Sequence, residues 1–332
     1  MPVATQSGAS RTNAHTAGAP SQLSSARSGF ARRVKTYDRL AKVVLSLTLL
    51  VALAVLAILL YDVASRALPV LTGRPVQFLT GNQSSDATIY GISQGLRGTA
   101  WIAAMTVLVA FPIGIATAIY LEEYARDNPL TRFIDVNIRN LAGVPSVVYG
   151  LLGLAVFVRL LGPSTATTGS LANLTGGSSV VTASLTIAIL VLPIVIITAA
   201  EAIRAVPAEL RQGGYGIGGT RWQVTRRLVL PSALPGILTG TILSVSRAVG
   251  ETAPLIVVGY TTGFLVSQGG FLERFYGPYT ALPGQIYTLA RQPGTAFRSE
   301  LSAAAIMVLL LVTLCANALA IVLRNRYDRF RA

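Results

Sequence analysis

Two opposite charges lie inside a long apolar stretch near residue 250. Arg247 and Glu251 fall within the run 237–258, whose other residues are uncharged. A charge near the middle of a membrane costs from about 3 to more than 10 kcal/mol, so it marks a functional site. Arginine stays protonated, and its planar fork suits the oxygens of a phosphate-like anion. We therefore predict that Arg247 and Glu251 line a pathway for an anion.

The four-residue spacing of this pair places both side chains on one face of a helix. Glu251 could hold the guanidinium when no anion is present and release it when one passes. Such a site has to bind weakly, because a transporter that clamps its cargo does not release it. The hydroxyls of Ser246 and Thr252 could add donors. The alternative is a permanent ion pair that only orients the helix, and the sequence leaves both open.

A basic, glycine-rich loop precedes the charged run. Residues 201–236 contain five arginines, and five of the seven residues 213–219 are glycine. Each glycine costs a helix about 1 kcal/mol relative to alanine, so a free helix here would be only marginally stable. We predict that a partner docks on this loop and orders it. A merely solvated basic loop would need neither Trp222 nor the glycine cluster.

Six apolar stretches are long enough to position these residues in a membrane, since a spanning helix needs about 20 apolar residues. The chain is 52% hydrophobic and only 12% charged, with a mean hydropathy of +0.60. Its apolar runs lack the alternation of a transmembrane barrel. The sequence therefore predicts an all-α membrane protein with six transmembrane helices. The predicted spans are residues 41–61, 100–121, 138–161, 180–200, 237–258 and 301–323.

The positive charge is unevenly placed along the chain. Of 27 lysines and arginines, 19 lie in the N-terminal segment, in residues 122–139, in residues 201–236 and in the C-terminal tail. Retention of positive charge on the cytoplasmic side explains this pattern, so both termini are predicted to be cytoplasmic. The same placement argues against nucleic acid as the reason for the net charge of +14. Residues 1–29 are polar without apolar periodicity, which predicts a disordered tail.

Prolines near the centres of three spans predict kinks, because a proline removes a helical hydrogen bond and clashes with the preceding turn. They are Pro112, Pro193 and Pro254. We expect the kinked spans to enclose a cavity.

No residue pattern for catalysis is present. The sequence lacks the GxxxxGK[ST] phosphate loop, since its only lysines are Lys35 and Lys42. It shows no paired nucleophile and base, and the single cysteine, Cys315, and single histidine, His15, cannot build a metal cluster. We therefore predict that the chain is not an enzyme and holds no metal or cofactor of its own.

The basic loop resembles the EAA loop of ABC importer permeases. Gly218 is followed after nine residues by Leu228 and then by Leu230-Pro231, in the spacing of the pattern E-A-A-x3-G-x9-I-x-L-P. In that family the loop forms a coupling helix seated in a cleft of an ATPase. The E-A-A positions are here Gln212-Gly213-Gly214, so the usual glutamate contact is missing. The resemblance implies that the ATPase is contacted by Gln212, Gly213, Gly214, Gly218, Thr220, Arg221, Trp222, Leu230 and Pro231.

Longer segments are similar to phosphate importer permeases of the PstA type. These segments are EAIRAVPAELR, GGTRWQVTRRLVLPSALPGILTG, SRAVGETAPLIVVG, ATAIYLEEY and NLAGVPSVVYG. The resemblance covers residues 95–323 and implies a type I ABC importer permease bundle in the bacterial cytoplasmic membrane. The implied domain organisation is a tail of residues 1–40, a first helix and external segment 41–94, the permease domain 95–323 and a cytoplasmic tail 324–332.

This resemblance also implies the partners of the chain. They are a second permease of the PstC type, an ATPase dimer of the PstB type that holds ATP and magnesium, and an extracytoplasmic phosphate-binding protein of the PstS type. The ETAP sequence at the end of the fifth span favours the PstA type over the PstC type.

Two alternatives for the function stay open. One is a permease for another oxyanion such as sulfate or molybdate. The other is a secondary transporter or channel, which typically shows inverted repeats that the two halves of this chain do not convincingly display.

Overall fold

The computed structural model describes residues 20–160, 177–260 and 277–329, and divides into two units at Asp62. The first unit consists of the greater part of helix α1, Pro20–Gly73, whose apolar side chains from Leu40 to Tyr61 are exposed. The backbone is already helical from residue 20, within the segment for which the sequence predicts disorder. Alanine, leucine, lysine and arginine favour helix, so α1 extends backwards from its apolar part. Residues 1–19 lie outside the described residues.

The second unit is a helical bundle. Its first helices are α2 (Pro75–Thr80), α3 (Ser93–Ile119, ending in a π-helical turn Tyr120–Tyr124), α4 (Pro129–Ala142), α5 (Ser146–Gly153, continued by a π-helical stretch Leu154–Leu160) and α6 (Val180–Arg204). The next are α7 (Ala208–Gly216), α8 (Arg221–Val224, followed by a π-helical turn Thr225–Val229), α9 (Leu230–Gly250), α10 (Ala253–Val258), α11 (Leu282–Arg291) and α12 (Ser302–Arg329, preceded by a π-helical turn Ala296–Leu301).

Five described helical stretches are long and apolar enough to cross a membrane, and a bent pair of helices would make the sixth. The five are Leu40–Gly73, Ser93–Tyr124, Val180–Arg204, Arg221–Gly250 and Ala296–Val322. The predicted all-α membrane fold is therefore confirmed. Apart from the third, every predicted span falls on one of these stretches. The predicted fifth span, 237–258, runs past the end of its helix at Gly250.

The predicted third span, 138–161, is wrong as a single straight helix. Helices α4 and α5 meet at an angle of 101°, and the bend lies between Ala142 and Ser146. Pro145 explains the bend, because a proline disfavours helical geometry in the residue before it. The Tyr149 hydroxyl donates a hydrogen bond of 2.8 Å to the carbonyl oxygen of Leu141 and so ties the two helices together across the bend.

Helix α6 is the centre of the bundle. It packs against α3 and α9 along its length, and also against α4, α5 and α10. Its buried face includes Ala183, Ile187, Val191 and Val195. Helices α3 and α6 continue without interruption through their internal prolines, residues 112 and 193, whereas Pro254 stands in the first turn of α10, directly after a break. Of the three prolines, Pro254 alone therefore coincides with an interrupted helix.

Candidate functional site

Arg247 and Glu251 form an ion pair at the point where helix α9 ends. The Nε atom of Arg247 lies 3.2 Å from Oε1 of Glu251, and the two side chains are 49% and 16% exposed. The guanidinium therefore reaches the surface of this chain, while the carboxylate stays mostly covered. Arg247 lies in the last turn of α9, where a positive charge is favoured by the helix dipole.

The predicted fifth span, 237–258, is wrong as one continuous helix. Helix α9 ends at Gly250, Glu251 has extended backbone angles (φ −73°, ψ 117°), and α10 begins at Ala253. Arg247 consequently lies near the end of the 30-residue stretch Arg221–Gly250 and not at its middle. The sequence could not show this, because the i,i+4 spacing of the two charges fits an unbroken helix equally well.

The break is held by close packing of α10 against α5. A Cβ atom added to Gly150 would lie 2.8 Å from the Cα atom of Pro254 and 3.0 Å from Cβ of Val257, so the two backbones meet at a glycine. Non-helical backbone at membrane depth is tolerated where protein buries it or where it lines a water-filled cavity. Helix α9 thus ends at the ion pair, and α10, which follows the break, packs closely against α5.

The two hydroxyl residues predicted beside the pair differ in their surroundings. Ser246 directs its hydroxyl at Oδ1 of Asn317 on α12, so this donor is engaged between two helices. Thr252 precedes α10 at the break, directly after Glu251, and is partly exposed. The structure thus pairs Arg247 with Glu251, places Thr252 next to Glu251 in the chain and directs the Ser246 hydroxyl at α12.

The glycine-rich loop folds into two short helices, α7 and α8, joined by a tight turn. Gly218 stands in this turn with φ +82°, a conformation that side chains with a Cβ rarely adopt. Its backbone N–H donates to the Tyr215 carbonyl at 2.9 Å. Thr220 then begins α8 with a capping box, in which the Thr220 hydroxyl accepts from the Gln223 N–H and the Gln223 side chain accepts from the Thr220 N–H.

Close packing constrains Gly214, one of the glycines of the loop. Gly214 is buried, and a Cβ atom there would lie 2.7 Å from Cδ1 of Leu228 and 2.9 Å from Cγ2 of Val224. The remaining predicted docking residues form the outer surface of the loop or the start of α9. Gln212, Gly213, Gly218, Thr220, Arg221 and Trp222 are exposed, whereas Leu230 and Pro231 are partly buried.

Comparison with known proteins shows the family of the chain. The family described as "binding-protein-dependent transport system inner membrane component" matches residues 110–329. The chain belongs to this family. The permease is therefore a multi-pass protein of the bacterial inner membrane.

Individual relatives of the permease include subunits of phosphate transport systems. It is 34% identical over 223 residues to the phosphate transport system permease protein PstA 1 of Mycobacterium tuberculosis, covering 67% of each chain. It is 31% identical over 229 residues to the phosphate transport system permease protein PstC of Mesorhizobium japonicum, covering 64% of this chain and 70% of the relative.

The permease also has the fold of a solved importer. It superimposes with a TM-score of 0.63 and 18% identity on a chain of the crystal structure of a bacterial alginate ABC transporter in complex with its alginate pentasaccharide-bound periplasmic protein, covering 87% of this chain and 94% of that one. This likeness concerns the fold, which is that of a type I ABC importer permease.

Sequence reasoning missed two acidic residues of the permease that meet the basic loop. Glu122 pairs with Arg204, with 3.2 Å between Oε2 and Nε, and Glu123 pairs with Arg211, with 3.0 Å between Oε1 and Nη2. Both glutamates lie in the π-helical turn that ends α3. A signal was present in the sequence, because adjacent carboxylates at the basic end of a span have arginines as their natural partners.

Proposed function

We propose that this chain is the permease subunit of an ATP-driven importer that moves inorganic phosphate across the cytoplasmic membrane. The observation that carries the proposal is the half-exposed Arg247 guanidinium at a helix break, in a chain whose relatives include phosphate transport permeases. Arginine offers a fixed fork of donors that matches phosphate oxygens. The family supports the role as a permease, and the relatives favour phosphate over sulfate or molybdate.

In this proposal the ion pair exchanges partners during transport. Glu251 holds the guanidinium at 3.2 Å. An arriving phosphate takes the place of the carboxylate on Arg247, and the carboxylate takes it back when the anion leaves. Because Glu251 competes for the same donors, binding stays weak enough for release. Thr252, the residue after Glu251, supplies a hydroxyl, whereas Ser246 has only a minor part because its hydroxyl is directed at α12.

The energy for transport comes from another chain. The sequence has no phosphate loop of its own, so ATP and magnesium bind an ATPase dimer of the PstB type. The outer surface of α7 and α8, with Trp222 at 57% exposure, is the docking site for that ATPase. A second permease of the PstC type completes the pathway, and a PstS-type binding protein delivers the anion. No catalysis is assigned to the permease itself.

The proposal is tested by uptake of labelled phosphate at limiting concentration. Cells lacking this chain are compared with cells that express it intact, with excess sulfate as competitor. We expect restored uptake that sulfate does not suppress. If the protein is in the membrane and uptake stays absent, phosphate is the wrong cargo, and labelled sulfate and molybdate are tried in the same cells.

A further inference from the structure

We propose that Arg211 is a positioning residue that joins the docking helix α7 to the ends of α3 and α6, so that all three move as one body. The inference rests on the proposed docking of loop 201–236 on an ATPase. In this inference the Arg211 side chain transmits movement of the loop to the membrane-spanning helices.

The guanidinium of Arg211 makes four hydrogen bonds, to the end of α3, to the end of α6 and to the segment that follows α6. Its Nη1 donates to the Val206 carbonyl at 2.6 Å and its Nη2 to the Ile203 carbonyl at 2.7 Å. Its Nε and Nη2 donate to Oε1 of Glu123 at 3.1 and 3.0 Å. An arginine has five such donors in a rigid plane, so nearly all of them are used here.

One of these bonds caps the end of α6 at Ile203, and another holds Val206 in the short segment that follows it. Helix α6 ends at Arg204, and the last carbonyls of a helix have no partner within it. Arg211 supplies donors to the carbonyls of Ile203 and Val206, and its positive charge is favoured at the negative end of the helix dipole. Arg211 therefore links α7 to α6, the central helix of the bundle.

The other two bonds reach α3 in a setting with little water. The Glu123 side chain is 5% exposed and the Arg211 side chain 22%. Removing one partner of such a pair leaves the other charge buried and uncompensated, which is strongly unfavourable. The neighbouring pair of Arg204 and Glu122 differs, because Arg204 is 57% exposed and solvent weakens its interaction. The link to α3 therefore depends on Glu123.

The C-terminal end of α7 is held by apolar packing. Gly214 packs against Val224 and Leu228, which lead into α9. Polar bonds thus tie α7 to α3 and α6, and apolar packing ties it to α9. Because α3 and α6 also pack along each other, a displacement of α7 moves that helix pair unless the bonds of Arg211 break.

A distance measurement tests the single-body movement directly. In a Cys315→Ser background, spin labels are placed at Ala208→Cys on α7 and Ile113→Cys on α3, both exposed positions. The protein is assembled with its ATPase and second permease. We expect the same label distance without nucleotide and with ATP in the otherwise native chain, and different distances in the two states once Arg211→Gln is added. A distance that changes with ATP while Arg211 is intact overturns the proposal.

A second measurement uses coupling in proteoliposomes, as phosphate moved per ATP hydrolysed. Arg211→Gln and Glu123→Gln are expected to lower this ratio at least about fivefold, with the ATPase still bound. Arg211→Lys should fall in between, because an ammonium cannot form all four bonds. Arg204→Gln and Glu122→Gln are the matched controls and should stay within about twofold. An unchanged ratio in Arg211→Gln overturns the proposal.

These results separate the role of Arg211 from the identity of the cargo. An intact complex that hydrolyses ATP but carries no phosphate overturns the proposed substrate, and the label distances then decide about Arg211 alone. An intact chain that retains no ATPase overturns the proposed docking together with this inference.

Discussion

Gly240 on α9 lies against Thr198 on α6 so closely that a Cβ atom at residue 240 would be 2.3 Å from the threonine Oγ1 and 2.4 Å from its Cβ. Small residues let membrane helices approach in this way, and the approach itself supplies van der Waals stabilisation. The contact joins the helix that carries Arg247 to the centre of the bundle.

We expect Gly240→Val to force α9 away from α6. Overpacking of this kind costs about 1 to 3 kcal/mol, so the midpoint of thermal unfolding in detergent should fall by several degrees. Circular dichroism provides the measurement. Gly73→Ala is the control, since no atom of the part of the chain that the structure describes lies within 4 Å of a Cβ atom at that glycine. Equal midpoints for the two variants would mean that the α6–α9 contact adapts to the larger side chain.

Substitutions at Gly218 should act through the backbone and not through size. Within the described residues no atom lies within 4 Å of a Cβ atom at this residue, but its φ of +82° disfavours any residue with a Cβ. Gly218→Ala and Gly218→Leu should therefore weaken ATPase retention by similar factors of about 3 to 10, whereas Gly218→Asn should be milder because asparagine tolerates this conformation.

Gly216→Ala is the matched control for Gly218. It is exposed, equally open and has no positive φ. Retention of the ATPase during purification of the complex measures all four variants. A steep dependence on side-chain size at residue 218 would show that the residue touches the partner instead of setting the turn.

A double-mutant cycle distinguishes the two roles considered for Arg247 and Glu251, which are anion binding and orientation of the helix. If the pair only orients the helix, Arg247→Gln together with Glu251→Gln should recover most of the uptake lost in either single variant, because no unpaired charge remains. If Arg247 binds the anion, the double variant stays as impaired as Arg247→Gln. We expect the second outcome, with ATPase retention unchanged.

Arg132→Gln is the control for that cycle. Arg132 also belongs to an ion pair, with Asp127 at 3.4 Å, but both side chains are largely exposed. Uptake should be unaffected in this variant. Full uptake in Arg247→Gln would show that the anion pathway does not depend on Arg247.

Gln285 should be required for stability. It is fully buried on α11, and its Nε2 donates to the Tyr90 hydroxyl at 2.9 Å and to the Gly91 carbonyl at 3.2 Å. Burial raises the pKa of Tyr90, so its hydroxyl stays protonated. Gln285→Leu leaves these buried groups without their donor, at a cost of about 1 to 3 kcal/mol.

The matched control for Gln285 is Gln77→Leu, because that glutamine is exposed on α2. The midpoint of thermal unfolding should fall in Gln285→Leu and stay unchanged in Gln77→Leu. A midpoint that is unchanged in both variants would show that the buried groups find other partners.

The sequence predicts the helices well because long apolar runs have few alternatives in a membrane. It does not predict where those runs are interrupted. Pro145 and Pro254 coincide with breaks, whereas Pro112 and Pro193 lie within continuous helices. A proline favours a break but does not impose one, because two of these four prolines lie inside continuous helices.

The candidate site was predictable only in part. The charges of Arg247 and Glu251 stand out in an apolar run, and the loop of Gly218 has a recognisable spacing. The partner of Arg211 is 88 residues away, at Glu123. Such a pairing depends on how α3, α6 and α7 meet, which no local pattern encodes.

Trp222 offers an optical reporter. The chain contains two tryptophans, Trp101 and Trp222, and the indole of Trp222 is exposed on the outer surface of α8. With Trp101→Phe, the tryptophan fluorescence of the subunit comes from α8 alone. Burial of that indole would shift its emission to shorter wavelength, so the encounter with another subunit becomes visible in a cuvette, in real time and without any attached dye.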